Sequence, residues 1–142
     1  LAAANWVLIP VQTEYYALEG LSQLMNSIKL VQRRINPNLK LFGIALTMHE
    51  STKLGNRVRN EVVKHFSSQV FSTVIPRATS IAAAPSEGAP ITLYKKPTKR
   101  NKGSTGYWGL SKEVHRRMLR IREKYGISEP NRLREYRLRT KE

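Results

Sequence analysis

The chain has 142 residues, with 25 Lys and Arg against 10 acids and a formal net charge of +15. That is the length of one domain or part of one, and the charge calls for a polyanionic partner such as nucleic acid or an anionic membrane surface. All ten acids are Glu and there is no Cys, which removes the commonest carboxylate ligand of catalytic Mg²⁺, the usual acid of a hydrolytic triad, disulfides and sulfur-ligated zinc. No apolar run approaches the roughly 20 residues of a membrane-spanning helix, and the N-terminus lacks the basic start of a signal peptide. A soluble protein of a reducing, cytoplasmic setting is expected. The sequence opens Leu1-Ala-Ala-Ala without Met, as a fragment or processed product of a longer protein would.

Trp6 to Val11 is a short apolar run closed by Gln12 and Thr13, the pattern of a strand buried on both faces. From Thr13, a candidate N-cap, Leu21, Leu24, Met25, Ile28, Val31 and Ile35 recur at helical spacing until Asn36-Pro37. Leu39 to Met48 reads as a second strand, Leu54, Val58, Val62 and Phe66 as one face of a second helix, and Val70 to Ile75 as a third strand ended by Pro76. Buried strands alternating with helices predict an α/β fold with a parallel sheet and right-handed crossovers.

Residues 76 to 90 are expected to form a loop over the carboxyl edge of the sheet, with Ile91 to Tyr94 as a short edge strand. Beyond Tyr94 the composition changes: from Lys95 to Glu142 there are 16 Lys and Arg against 5 Glu, so +11 of the +15 lies there. This predicts a domain over 1–94 and a basic helical tail over 95–142 whose first helix packs on the domain. In the tail, Leu110, Val114, Met118, Ile121 and Tyr125 share a helical face closed by Gly126 as C-cap. Ser128, Pro130 and Asn131 start a shorter Arg-rich helix.

In the run Val7 to Met48, a strand ending Ile9-Pro10-Val11-Gln12 leads into Glu14-Tyr15-Tyr16-Ala17-Leu18-Glu19-Gly20-Leu21. This closely resembles the ParA/Soj (ParA/MinD-type) chromosome- and plasmid-partition ATPases. Val74-Ile75-Pro76-Arg77, Ala84-Pro85-Ser86, Gly88 and Leu110-Ser111-Lys112-Glu113-Val114 continue the family's order, so the likeness covers residues 1 to about 115. The resemblance implies the C-terminal half of a deviant-P-loop ATPase that uses ATP and Mg, dimerises around ATP, binds DNA without sequence preference and is stimulated by a ParB-type partner. By position it implies adenine-edge contacts at Thr47, Met48, Pro76 and Arg77, in the crevice expected at the carboxyl ends of an open α/β sheet. From the residues alone, Met48 and Pro76 read as core and strand terminator.

The chain contains no GxxxxGK[ST] loop, so nothing in it supplies the nest of N–H groups and the Lys that hold phosphates. No cofactor and no ATP turnover are therefore expected of this chain alone. Its central strands should leave an open sheet edge, so a homodimer or a partner chain completing the sheet is expected. The chain also departs from the family pattern. Ser80 stands at a basic position associated with DNA binding, Ala83 at a Glu position, and Tyr94-Lys95-Lys96-Pro97 where Tyr-Asp-Pro is usual.

His49, His65 and His115 lie far apart in sequence and are read as surface or helix-face residues, so no metal site is assigned. Tyr15, Tyr16 and Glu19 open the first helix; core packing accounts for at least one tyrosine, while the resemblance turns this segment toward the dimer or nucleotide side. The candidate nucleic-acid contacts are Lys95, Lys96, Lys99, Arg100 and Lys102 in the loop and Arg116, Arg117, Arg120, Arg122 and Lys124 on the following helix. Tyr107 and Trp108 lie between these clusters, with Trp108 read as a core anchor of the last helix. Two functions follow: part of a nucleoid-associated partition ATPase, or an ATPase-dead ParA-like module that binds DNA or RNA through its tail. Membrane association is a weaker reading, because the terminal segment has few large apolar residues.

Overall fold

Two parallel strands and the helices that follow them set the frame of the molecule. In the computed structural model, which describes residues 1–127, β1 (Trp6–Gln12) pairs in parallel with β2 (Lys40–Thr47). The register runs from Trp6 opposite Lys40 to Gln12 opposite Thr47, with one irregularity after Val7 that leaves Phe42 as an extra residue on β2. The helix α1 (Ala17–Arg34) crosses between the strands, and α2 (Lys53–Phe66) follows β2. The expected α/β class and parallel pairing are present.

One core holds these elements. Ile9 and Val11 of β1, Ile44 and Leu46 of β2, Leu21 and Ile28 of α1, and Val58 and Val62 of α2 form a single buried cluster with Leu39. Thr52 caps α2, its side chain accepting the Gly55 N–H at 3.0 Å. The N-cap position of α1 is Tyr16, without a side-chain cap. Thr13 does not cap the helix, because its hydroxyl is hydrogen-bonded to His49 Nδ1 at 3.2 Å.

Several expectations are corrected. Strand β1 is buried on one face only: Ile9 and Val11 are covered, while Leu8, Pro10 and Gln12 are exposed. On β2, by contrast, Gly43 through Leu46 are all buried. The segment Val70–Ile75 follows β2 in parallel but is not a regular strand. Phe71 N–H donates to Ile44 O and Ile75 N–H to Leu46 O, so four residues on this segment span two on β2, and the surplus bulges at Ser72–Val74. Residues 76–90 are not loop throughout; they hold a short helix α3 (Thr79–Ala83) and a 3₁₀ turn over Ala84–Glu87 ended by Gly88 at φ 62°. Ile91–Tyr94 is a helical turn, α4, rather than a strand, with the Leu93 and Tyr94 N–H groups donating to Pro90 O.

The long helix α5 (Lys102–Tyr125) starts eight residues before the apolar face that predicted it. The described chain divides into two compact units, one over Leu1–Ser111 and a second from Lys112, so residues 95–111 belong to the first unit. Within that unit the α5 backbone approaches closely: a Cβ on Gly103 would stand 2.8 Å from Ile81, and one on Gly106 3.1 Å from Pro76. In the second unit α5 ends as expected, with Gly126 at φ 61° and Ile127 N–H donating to Arg122 O. The expected helix opening at Ser128, with Arg132, Arg134, Arg137 and Arg139, lies outside the described residues.

Ser104, in the first turn of α5, is fully buried, and its Oγ has no hydrogen-bond partner among the described residues. A buried, unsatisfied hydroxyl costs about 1–3 kcal/mol, and alanine is the better helix former. Ser104→Ala is therefore expected to raise stability by about 1 kcal/mol, read as a higher denaturant midpoint at unchanged m-value.

Candidate functional site

Three chain segments meet where β1, β2 and the irregular segment 70–77 end. Thr13 N–H donates to Thr47 O at 3.2 Å, and the Thr47 hydroxyl donates to Val11 O at 3.3 Å, joining the first two. His49 N–H donates to Ile75 O and Arg77 N–H to His49 O, each at 3.0 Å, joining the second and third, with His49 bridged in parallel to Pro76. All four expected nucleotide-edge residues, Thr47, Met48, Pro76 and Arg77, are thereby brought to one edge of the first unit.

Met48 stands between the end of β2 and His49 with φ 50°. A long side chain rarely adopts this left-handed conformation, which costs on the order of 1 kcal/mol and persists only where the surroundings impose it. Here they do, since Thr47 is tied to β1 and His49 to residues 75–77. The Met48 side chain is exposed rather than core.

The sequence reading missed the ionic link across this edge. Arg77 Nη2 donates to Glu14 Oε1 at 2.9 Å and Arg77 Nε to Glu50 Oε1 at 2.8 Å. One guanidinium thus bridges the turn after β1 and the turn after β2. All three side chains are about half exposed, so each pair contributes at most about 1 kcal/mol; what they fix is position. The signal lay in spacing, since Glu14 and Glu50 each fall just past a strand end, where carboxyl-edge residues gather. Among the described residues no group of His, Cys, Asp or Glu is arranged to hold a metal ion.

Tyr15 and Tyr16 are both exposed, stacked edge to face at 5.0 Å, so neither contributes to the core. Glu19 accepts a hydrogen bond from Gln23 Nε2 one turn on. His65 is exposed on α2 beside Glu61, and His115 is exposed on α5.

The loop cluster Lys95, Lys96, Lys99, Arg100 and Lys102 is exposed throughout. Its backbone is nevertheless ordered by local bonds: Asn101 Nδ2 donates to Lys96 O, Asn101 N–H to Thr98 Oγ1, and Thr105 Oγ1 to Thr98 O. Lys99 and Lys102 line an open cavity of about 360 Å³ with Thr73, Val74, Pro76 and Thr105. On the helical part, Arg116, Arg120 and Lys124 are exposed, while Arg117 and Arg122 are half-buried. Burial pulls the Arg117 guanidinium below its ordinary pKa, against the opposing pull of Glu113 and with a smaller push from Arg120. Trp108 is 44% exposed, as is much of Tyr107; the expected anchoring role falls instead to the small residues Gly103, Ser104 and Gly106, which are buried.

A family model described as an AAA domain matches residues 1–41. The sporulation initiation inhibitor protein Soj of Bacillus subtilis is 50% identical over 115 residues, 80% of this chain and 44% of Soj. The chromosome partitioning protein ParA of Myxococcus xanthus is 47% identical over 118 residues, 82% of this chain and 41% of ParA. Among solved structures, cobyrinic acid a,c-diamide synthase from Mycobacterium smegmatis with bound ADP and magnesium is similar with a TM-score of 0.48 and 28% identity, over 63% of this chain and 43% of that one. The chain spans less than half the length of the curated relatives it matches.

Proposed function

Because the chain belongs to the ParA/Soj family of chromosome-partitioning proteins, we propose that it acts as the carboxyl-terminal part of a nucleoid-associated partition ATPase. The single observation that carries this reading is 50% identity to Soj over 115 residues, 80% of this chain. In this reading Thr47, Met48, Pro76 and Arg77 flank the adenine of ATP. The P-loop lysine, the phosphate-binding N–H groups and the Mg²⁺ contacts come from a polypeptide with the sequence features this chain does not contain. The basic residues of 95–124 bind DNA through its phosphates, and a ParB-type protein is the expected regulator.

The concentration of +11 beyond Tyr94 favours a second reading, an ATPase-dead module that holds DNA or RNA within a nucleoprotein assembly. One experiment separates the two: the unmatched portion of Bacillus subtilis Soj is joined ahead of Leu1, and ATP hydrolysis and DNA binding are measured for the chimera and for the chain alone. The ATPase reading expects turnover and ATP-dependent DNA binding from the chimera and no turnover from the chain. A chimera that folds, binds DNA identically with and without ATP, and hydrolyses none would leave only the module.

A further inference from the structure

Lys112, Arg116, Arg120 and Lys124 follow one another at four-residue intervals on α5, within the second unit, and all four are exposed. Residues so spaced form one ridge of a helix, inclined about 26° to its axis, with steps of about 6 Å and about 18 Å from first to last. Like charges at this spacing weaken a helix in water. Among the described residues no salt bridge relieves them, and the bond from Arg116 Nε to Lys112 O at 3.3 Å brings no negative charge to the row. The acids of this stretch, Glu113 and Glu123, fall one on either flank of the ridge, and Glu113 acts on Arg117. The arginines off the ridge are already engaged: Arg117 and Arg122 are half-buried, and Arg122 Nε donates to Ile127 O at 3.4 Å.

Four exposed cations in file on a rod match a chain of phosphates that advances by a similar step. In a duplex each strand winds round the duplex axis by about three-tenths of a turn from one phosphate to the fourth. A strand that touches two cations of the ridge therefore curves away from the others. An unpaired strand has no such curvature imposed on it and can follow the whole ridge. At the far end Tyr125 is exposed, with Lys124 Nζ 5.8 Å from its ring centre. An aromatic side chain beside the last cation offers a face on which a base can stack, and an unpaired strand presents the base faces that a duplex keeps inside its own stack.

We propose that the ridge of Lys112, Arg116, Arg120 and Lys124 is a track for single-stranded nucleic acid, with one phosphate at each cation and a base stacked on Tyr125. The proposal rests on the nucleic-acid reading above and narrows it, for the second unit, to one unpaired strand. Single-stranded DNA and RNA share the phosphate chemistry that the ridge recognises.

The test titrates the full chain, by fluorescence anisotropy, with labelled oligothymidylate, oligouridylate and a duplex of equal length. Lys112→Gln with Lys124→Gln removes the two ends of the ridge, which a duplex lying on Arg116 and Arg120 does not reach. Single-strand affinity is expected to fall about tenfold near 0.15 M salt, and the slope of log affinity against log salt to become shallower by about 1.4, while duplex affinity stays within about twofold. Tyr125→Ser is expected to weaken single-strand binding about tenfold, with no change in salt slope or in duplex binding. Lys95→Gln with Lys96→Gln, an equal loss of charge in the first unit, should leave the single-strand slope unchanged. Circular dichroism verifies the helix; should its content fall, Lys112→Ala with Lys124→Ala repeats the measurement in the better helix former. Losses with both oligonucleotides support a track for either nucleic acid, and a loss with one alone assigns the track to that one. The proposal is overturned by single-strand binding indifferent to Lys112 and Lys124, by equal losses for single strands and duplex, or by variants that lose binding only to phosphatidylglycerol vesicles, which would give the ridge to a lipid surface. Duplex binding that persists beside any of these keeps the nucleic-acid reading and removes the track alone. Absence of binding to all three probes removes both.

Discussion

Changing Lys99, Arg100, Lys102, Arg116 and Arg120 together to Gln is expected to lower affinity for generic duplex DNA by about three orders of magnitude near 0.15 M salt. The five are chosen on structural grounds. Each is exposed, and none belongs to the core cluster, so the fold should survive, as circular dichroism and thermal melting can verify. Arg117 and Arg122 are left in place because both are half-buried and already engaged in interactions. If each removed cation displaces one condensed counterion in the parent complex, the slope of log affinity against log salt becomes shallower by up to about 4.5. Sequence preference should change little, because phosphate contacts carry no base information. The contrasting outcome is equally specific: unchanged affinity in the five-residue variant, with loss on substituting the exposed Lys53, Arg57 or Arg59 of α2, would move the binding surface to that helix.

What the sequence disclosed and what it hid divide along a physical line. The period of apolar residues located β2, α1 and α2 because their partners are in the chain: Ile44 and Leu46 meet Ile9, Leu21, Val58 and Val62 in one cluster. The same rule misread β1. Leu8 and Pro10 continue an apolar run that implies two covered faces, yet both are exposed, since among the described residues only the face of β1 that carries Ile9 and Val11 is covered. The pattern is that of a strand within a wider sheet. The resemblance to the ParA/Soj family pointed to Thr47, Met48, Pro76 and Arg77, which lie together at one edge, whereas from the residues alone Met48 and Pro76 read as core and strand terminator. The Glu14–Arg77–Glu50 bridge was not legible, because it joins residues up to 63 positions apart through side-chain geometry that no local period records. Trp108 was misread for the opposite reason: in the first unit α5 comes so close to residues 73–76 and 81 that glycines, not an indole, occupy the contact.

The same substitution at two helical glycines should act in opposite directions, and this measures how tightly the turn at the site edge is built. Gly55 is the third residue of α2, buried, with its N–H held by the Thr52 hydroxyl. A Cβ there would lie 2.3 Å from Glu50 O and 3.3 Å from Thr52 Oγ1, so either the helix start or the turn at Glu50 must move. Moving the turn strains the Glu50–Arg77 pair and the His49 bonds to residues 75–77. Moving the helix start unseats the Thr52 cap, worth about 1 kcal/mol, and lifts Val58 and Val62 from the core. Overpacking of this kind costs typically about 1–3 kcal/mol, occasionally more, and the gain in helix propensity of about 1 kcal/mol does not offset it together with the cap. Gly55→Ala is therefore expected to destabilise the chain by about 2–3 kcal/mol, lowering the melting temperature by roughly 10 °C. Gly20→Ala, in open space on α1, gains the same propensity without a clash and should raise it by a few degrees. Equal shifts of one sign in both variants would mean that the Glu50 turn yields freely, and that the left-handed Met48 beside it is not held by its neighbours.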